Sequence, residues 1–194
     1  VPARLLYEFI SNLETGNVVG EVKGTALHLS SEKASSKFLG IDAEDFPDLP
    51  KLPKKFNLTI DPKVFSEAVL ETSFSAAIDE SRPVLTGVYL RASESVLSVA
   101  AVDGFRLSER VLKLKEKIKD EFTCVVPSKV LAETARLFTS SKELLEISVS
   151  EETPLAIFKC GDVVLTTTLI EGDFPDYKKL IPSEEKLTTS ATFL

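Results

Sequence analysis

The stretch Val1-Pro2-Ala3-Arg4-Leu5-Leu6 returns further along the chain as Val126-Pro127-Ser128-Lys129-Val130-Leu131. A second motif, Asp45-Phe46-Pro47-Asp48, returns unchanged as Asp173-Phe174-Pro175-Asp176. Both pairs have an offset of about 125–130 residues, which is the size of a protein domain. A weaker echo, Leu58-Thr59-Ile60 in Leu187-Thr188-Thr189, has a similar offset. The repetition therefore predicts that one structural unit is stacked along the chain.

Hydrophobic periodicity and turn residues predict an α+β fold in which strand–helix–three strands occurs twice in residues 54–182. The expected strands are 56–60, 84–91, 96–102, 105–112, 122–126, 144–149, 155–159 and 163–169, and the expected helices are 61–74 and 127–138. Residues 1–40 repeat the second half of this unit, with a helix at 2–13 and strands at 18–22, 26–29 and 37–39. Residues 42–55 have the composition of a connector. We thus expect a half unit at 1–53, a complete unit at 54–182 and the beginning of a third at 183–194.

The three predicted helices share one apolar pattern. Each has a proline at its start and apolar or small residues at i, i+1, i+4 and i+5, which form one stripe of an amphipathic helix lying on a sheet. The equivalent sets are Leu5, Leu6, Phe9 and Ile10; Val64, Phe65, Ala68 and Val69; and Val130, Leu131, Thr134 and Ala135.

A basic residue precedes the apolar pair in each helix: Arg4, Lys63 and Lys129, each followed four residues later by glutamate. A cation in the first turn opposes the helix dipole, so helix stability does not explain these residues. One interpretation is that equivalent helix starts present cations to a polyanion, because phosphates bind at helix N-termini. The alternative is a set of solvated surface cations with intrahelical partners. Arg136, on a solvent-facing side of the third helix, adds slightly to the phosphate interpretation.

Composition is that of an ordered, soluble protein, with 43% hydrophobic and 27% charged residues. No apolar run reaches the length of a membrane span. The two cysteines, Cys124 and Cys160, lie in apolar runs, which predicts buried reduced thiols of a cytoplasmic protein. The net charge of −7 argues weakly against a nucleic-acid partner. The start in mid-repeat and the lack of methionine predict a piece of a longer polypeptide.

Signals for an enzyme are few, and we expect no catalytic residue, no metal and no cofactor. His28, the only histidine, lies in a strand between Leu27 and Leu29, where an exposed or hydrogen-bonded structural role is the usual one. The two Asp-Phe-Pro-Asp motifs contain paired carboxylates that suit catalysis or a hard cation. Their proline and phenylalanine instead favour a rigid hinge whose ring fills the core.

Four segments together resemble the bacterial sliding clamp, the beta subunit of DNA polymerase III. They are Glu80-Ser81-Arg82-Pro83-Val84-Leu85-Thr86-Gly87-Val88, Ala101-Val102-Asp103-Gly104-Phe105-Arg106-Leu107, Val126-Pro127-Ser128-Lys129 and Gly172-Asp173-Phe174-Pro175-Asp176-Tyr177. The resemblance covers essentially the whole chain. It implies the second half of clamp domain I at 1–53, all of domain II at 54–182 and the start of domain III at 183–194. The implied fold is the doubled strand–helix–three-strand unit, built into a homodimeric ring around duplex DNA.

The resemblance also implies two kinds of site. The helices would line the hole of the ring, so that four cations face the DNA backbone while Arg82 lies at the rim. These four are Arg4, Lys63, Lys129 and Arg136. A groove for short hydrophobic peptides of the polymerase catalytic subunit and the clamp loader is implied at Leu85, Val102, Gly104, Phe105, Arg106, Leu107, Pro175, Lys179 and Leu180.

Two groove positions depart from the family, which commonly has histidine at Phe105 and arginine at Lys179. From the residues alone, Leu85, Val102 and Leu107 are equally well explained as strand core. The groove's contribution from domain III is missing in this chain, so its groove is expected to be incomplete.

The resulting hypothesis is a non-catalytic processivity factor that acts in the cytoplasm, encircles double-stranded DNA without sequence preference and tethers replication and repair proteins. A homodimeric ring is expected of the full-length protein and not of these 194 residues alone. An alternative from another class is a protein-binding adaptor of repeated α+β units with no role on DNA. A hydrolase using His28 is the third possibility.

Overall fold

The computed structural model of the chain describes residues 1–46, 48, 50–118, 120–150 and 153–181. The chain separates into two compact units, with the division between Lys51 and Leu52. This division lies close to the boundary predicted at 53–54. The predicted start of a third unit at 183–194 falls outside the described residues.

The first unit contains one helix and one three-stranded sheet. Its elements are α1 (Ala3–Ser11), β1 (Val19–Lys23), β2 (Ala26–Ser30), β3 (Ser35–Leu39) and a short 3-10 turn (Ala43–Asp45). The strands pair antiparallel in the order β1-β2-β3. The β1–β2 turn contains Gly24 at a φ of 58°, a left-handed conformation that favours glycine.

The second unit contains strand–helix–three strands twice, as the sequence predicts. Its first half is β4 (Leu58–Ile60), α2 (Pro62–Ser73), β5 (Gly87–Ser93), β6 (Val96–Val102) and β7 (Leu107–Lys113). Its second half is β8 (Phe122–Pro127), α3 (Ser128–Phe138), β9 (Leu145–Val149), β10 (Leu155–Cys160) and β11 (Val163–Thr168). Two 3-10 turns, Pro83–Thr86 and Tyr177–Leu180, lie outside this pattern.

The two halves of the second unit exchange their first strands. The four-stranded sheets have the orders β7-β6-β5-β8 and β11-β10-β9-β4, so each sheet ends in a strand from the other half. Leu58 of β4 aligns with Ile147 of β9, and Tyr89 of β5 aligns with Val125 of β8. Because neither sheet is complete without the other half, the two halves form a single folding unit.

The core of the second unit lies between its helices and sheets. The stripe residues Phe65, Val69, Leu131 and Ala135 are fully buried, and the rings of Phe65 and Phe158 lie 6.1 Å apart. The two helices also contact each other, because the Ser66 hydroxyl in the first half of α2 donates to the Ala135 carbonyl in the second half of α3 at 2.9 Å. Most of the predicted apolar stripes of α2 and α3 therefore lie in the core, whereas Val64 is 42% exposed and Val130 is half-buried.

The same stripe on α1 is largely exposed. Leu5 is 55% exposed and Ile10 is 49% exposed, and no residue of α1 is buried. Phe9 of α1 contacts Phe38 of β3 edge-to-face, with ring centroids 5.5 Å apart. In the second unit each helix packs on the other helix as well as on a sheet, whereas within the described part of the first unit α1 packs on a sheet alone.

Several strands begin one to three residues later than predicted, and for β5 and β7 local contacts explain the delay. Residues 84–86 form a 3-10 turn after Pro83, stabilised by the Thr86 hydroxyl donating to the Pro83 carbonyl at 2.7 Å, so that β5 begins at Gly87. Residues 105–106 lie in a loop held by Asp103, so that β7 begins at Leu107. In both places a local side-chain or proline constraint overrides the alternation of apolar residues.

Both cysteines are free and buried, as predicted. Burial raises the pKa of the Cys124 thiol to about 12. Among the helices that the structure describes, none is both long and apolar enough to cross a membrane.

Candidate functional site

An open groove of about 460 Å³ lies at the end of strands β6 and β7. Val102, the last residue of β6, aligns with Leu107, the first of β7, and the two form part of the groove together with the loop between them. A second part of the lining comes from Leu180, the last residue of the 3-10 turn Tyr177–Leu180, and from Ile181, which follows it. The lining is therefore mostly apolar, with one cation, Arg106, on the loop.

The loop between β6 and β7 is organised by the carboxylate of Asp103. Oδ1 accepts the amide N–H groups of Phe105 at 3.0 Å and Arg106 at 3.1 Å, while Oδ2 accepts Arg106 Nε at 2.9 Å. Gly104 adopts a φ of 93°, which a residue with a Cβ rarely adopts. The hydrogen bond from the Phe105 amide is the main cause of the lowered pKa of Asp103, so the carboxylate stays charged and keeps the loop in place.

This loop presents one aromatic ring and one cation to solvent. Phe105 is fully exposed, so its ring is available for contact with a ligand. The guanidinium of Arg106 lies 5.9 Å from the centre of the Phe74 ring, a cation–π distance, in addition to its ion pair with Asp103. The guanidinium is therefore held in one place at the rim of the groove, where it can bind a carboxylate or a peptide carbonyl.

The structure brings together six of the nine predicted groove residues and leaves three outside the lining. The six are Val102, Gly104, Phe105, Arg106, Leu107 and Leu180. Leu85 is buried instead, and its carbonyl accepts the Ala77 amide at 2.8 Å. Lys179 forms an ion pair with Asp176 at 2.9 Å, and Pro175 lies upstream of the turn. Sequence reasoning missed Ile181, whose signal was the apolar pair that it forms with Leu180.

The predicted helix cations are all exposed, but most are paired with carboxylates on their own helix. The side chain of Arg4 is 90% exposed and pairs with Glu8 at 2.8 Å, and Lys63, 74% exposed, is 4.0 Å from Glu67. Lys129 differs from this pattern, because Glu133 pairs with Arg136 instead. Exposed intrahelical pairs contribute little free energy, so a phosphate can replace the glutamate as the partner.

Within the second unit, α2 and α3 place their cations on one pair of contacting helices. Lys63 lies one turn before Ser66, and Arg136 follows Ala135, so the hydrogen bond between Ser66 and Ala135 puts both cations near the same end of the pair. Lys129 lies in the first turn of α3, at the far end of that helix from Arg136. Arg82, also exposed, directly precedes the Pro83–Thr86 turn.

The residues considered for catalysis do not form a site. His28 is half-buried in β2, where its register partners on the two neighbouring strands are Glu21 and Lys37. In the second Asp-Phe-Pro-Asp motif, half-buried Phe174 stacks on Tyr89 with centroids 4.9 Å apart. In the first motif Phe46 is 67% exposed, so the expectation that its ring fills the core is wrong. No cluster of three potential metal ligands occurs among the residues that the structure describes.

Comparison with known proteins shows to which family the chain belongs. The family model described as the central domain of the DNA polymerase III beta subunit matches residues 59–176. The chain belongs to the DNA polymerase III beta subunit family. The match includes α2, α3 and the loop held by Asp103.

Individual relatives agree with the family match. The beta sliding clamp of Bacillus subtilis strain 168 is 31% identical over 185 residues, covering 95% of this chain and 48% of that protein. The beta sliding clamp of Streptococcus pneumoniae strain TIGR4 is 34% identical over 174 residues, covering 89% and 45%. The chain thus spans about half the length of the curated relatives it matches.

Solved structures show the same fold. The crystal structure of the DNA polymerase sliding clamp from Bacillus subtilis matches with a TM-score of 0.81 at 30% identity, covering 94% of this chain and 48% of that one. The beta subunit of Streptococcus pyogenes DNA polymerase matches with a TM-score of 0.80 at 28% identity, covering 95% and 49%. The predicted α+β clamp fold is therefore confirmed.

Proposed function

We propose that this chain is part of a sliding clamp, a non-catalytic processivity factor that encircles duplex DNA in the cytoplasm and tethers the replicative polymerase. The observation that carries the proposal is the family match over residues 59–176, which contains both the helix pair and the groove loop. We further propose that residues 1–53, 54–182 and 183–194 belong to clamp domains I, II and III, and that the full-length protein closes a homodimeric ring.

The helix cations support a DNA-facing role through their exposure. Lys63, Lys129 and Arg136 project from helices whose opposite stripe is buried, so their charged ends are available to a ligand. Contacts of this kind neutralise phosphates without reading bases, which suits a protein that must slide. The overall charge of −7 does not oppose this proposal, because the three helices carry four cations and four glutamates, so that the surplus of negative charge lies outside them.

The groove supports a role in binding short hydrophobic peptides of the polymerase catalytic subunit and the clamp loader. Its apolar lining and exposed Phe105 can bury the apolar side chains of a peptide. The fixed guanidinium of Arg106 can form a charged hydrogen bond with it. A peptide with apolar residues around one carboxylate therefore fits the groove best. The departure at Phe105 makes the groove lining more apolar than histidine would. Lys179, outside the lining, cannot form the bidentate hydrogen bonds of an arginine.

Variants of the full-length protein separate the two proposed roles. Leu107→Ala or Arg106→Ala should abolish polymerase recruitment and leave DNA retention unchanged, because neither side chain lies on the helix pair. Replacing Lys63, Lys129 and Arg136 together should weaken DNA retention and leave peptide binding intact. Lys23→Ala is a matched control, since Lys23 is an exposed, paired cation on a strand.

Three outcomes are informative. Loss of recruitment in the groove variants with normal DNA retention supports the proposal. If the groove variants lose peptide binding and the unaltered protein is itself not retained on DNA, the adaptor alternative is indicated. Normal recruitment by both groove variants would refute the peptide groove.

A further inference from the structure

The wall of the groove formed by Leu180 and Ile181 does not belong to the sheet that forms its floor. It is the end of a strap, residues 170–181, that leaves the second sheet after β11 and crosses to the sheet of β5, β6, β7 and β8. The strap is first attached where the Ile170 amide donates to the Val125 carbonyl of β8 at 2.9 Å. Ile170 is ten residues before Leu180, so the position of Leu180 and Ile181 depends on a second attachment of the strap closer to the groove.

That attachment is the side chain of Tyr177, which is 4% exposed. Its hydroxyl donates to Glu109 Oε1 at 2.6 Å, and its ring contacts the Tyr89 ring edge-to-face with centroids 5.9 Å apart. Phe174 completes the cluster, 6.2 Å from Tyr177. Burial and the neighbouring carboxylate both raise the pKa of Tyr177, so its hydroxyl stays protonated and can donate to Glu109.

The register of the sheet places this cluster beside the groove. Tyr89 of β5, Ala100 of β6 and Glu109 of β7 are aligned across three neighbouring strands. Since Tyr177 contacts Tyr89 and Glu109, its ring spans β6 at Ala100. Ala100 is fully buried, although it is not part of the main core. Val102 of the groove floor is two residues further on the same face of β6, about 7 Å away. The turn from Tyr177 to Leu180 covers that distance.

We infer that Tyr177 and Glu109 are positioning residues of the groove: they do not line it, and their hydrogen bond holds Leu180 and Ile181 opposite Val102 and Leu107. This inference rests on the proposed function of the groove in binding peptides. The Glu109 end of this hydrogen bond is half-buried, and a hydrogen bond to a carboxylate is among the stronger kinds in proteins. Among the residues that the structure describes, its loss leaves the end of the strap attached through the rings of Phe174 and Tyr177, and the groove wall can then move.

The test uses the full-length protein and a fluorescein-labelled peptide, Leu-Asp-Leu-Phe, in which the apolar residues match the groove lining and the aspartate matches Arg106. Tyr177→Phe removes only the hydroxyl. We expect it to weaken peptide binding about five- to tenfold by fluorescence anisotropy and to speed hydrogen exchange at the amides of residues 179–181 in the free chain. Glu109→Gln keeps an acceptor and should weaken binding only about twofold. Tyr7→Phe, at a 72% exposed tyrosine, is the matched control and should change neither measurement.

Leu107→Ala distinguishes failure of this inference from failure of the proposed groove. If Leu107→Ala weakens binding while Tyr177→Phe binds as the unaltered chain does, the groove stands and the positioning role is refuted. If Tyr177→Phe lowers only the melting temperature, with unchanged affinity and exchange well below melting, its role is merely structural and the inference is wrong. If the unaltered full-length protein does not bind the peptide, or Leu107→Ala has no effect, the groove proposal falls and the inference with it.

Discussion

Replacing the four helix cations by alanine in the full-length protein should flatten the salt dependence of DNA binding. The residues are Arg4, Lys63, Lys129 and Arg136. Each neutralised phosphate contributes about 0.9 to the slope of log K against log salt, so four contacts contribute at most about 3.6 per subunit. The measured loss should be smaller than this limit, because Glu8, Glu67 and Glu133 already neutralise part of the charge.

The structure also predicts which replacement has the largest effect. Lys129 has no ion pair among the described residues, because Glu133 pairs with Arg136. Its charge is therefore the least compensated, and Lys129→Ala should flatten the slope by nearly one unit while the other single variants change it less. Conversely, Glu67→Gln releases Lys63 from its partner and should strengthen DNA binding.

The assay is a titration of labelled duplex DNA between about 50 and 200 mM salt, a range in which phosphate contacts change affinity strongly. Folding should be unaffected, since all four side chains are exposed, and circular dichroism checks this. Lys23→Ala and Lys33→Ala are controls, because both are exposed, paired cations outside the helices. A four-fold variant with the slope of the unaltered protein would show that these helices do not face DNA.

Three further predictions concern the loop, the core and a thiol. The pKa of Asp103 is lowered from 3.8, so its carboxylate stabilises the groove loop above pH 3.8 and loses this effect as the pH falls further. Hydrogen exchange of the Arg106 amide should therefore become faster at low pH, and Asp103→Ala should remove this pH dependence. Val69 is fully buried, so Val69→Ala should lower the free energy of unfolding, measured in urea, by about 2–3 kcal/mol. Val64 lies on the same helix but is 42% exposed, so Val64→Ala should lower it by less than about 1 kcal/mol, and equal losses would contradict the packing described. Cys124, with a pKa of about 12, should resist iodoacetamide at pH 8 until the chain is unfolded, and rapid native labelling would contradict its burial.

The order of the elements could be predicted from the sequence because helices and strands depend on local periodicity. Exchange of β4 and β8 between the two sheets could not, since Leu58 meets Ile147 through pairing that no local pattern encodes. The stripes of α1 and α2 are alike in sequence, yet Ile10 is exposed and Val69 is buried. Burial depends on the partner of a helix, which periodicity does not specify.

The groove was predictable only in part for a similar reason. The resemblance to the clamp family supplied Phe105 and Arg106, but not their place in a loop, which follows from the hydrogen bonds of Asp103. Ile181 was missed because it reaches the groove through the strap. The attachment of that strap through Tyr177 depends on three aligned strands, and so becomes visible only in the folded protein.

Retention on closed and open DNA tests the central claim most directly. The full-length protein is loaded onto circular duplex DNA, separated from free protein by gel filtration, and the DNA is then cut once with a restriction enzyme. A ring that encircles DNA is held by topology, so we predict that it stays on the circle through moderate salt and is released when the circle is cut. Equal retention on circular and cut DNA, or no retention on either, would contradict the account.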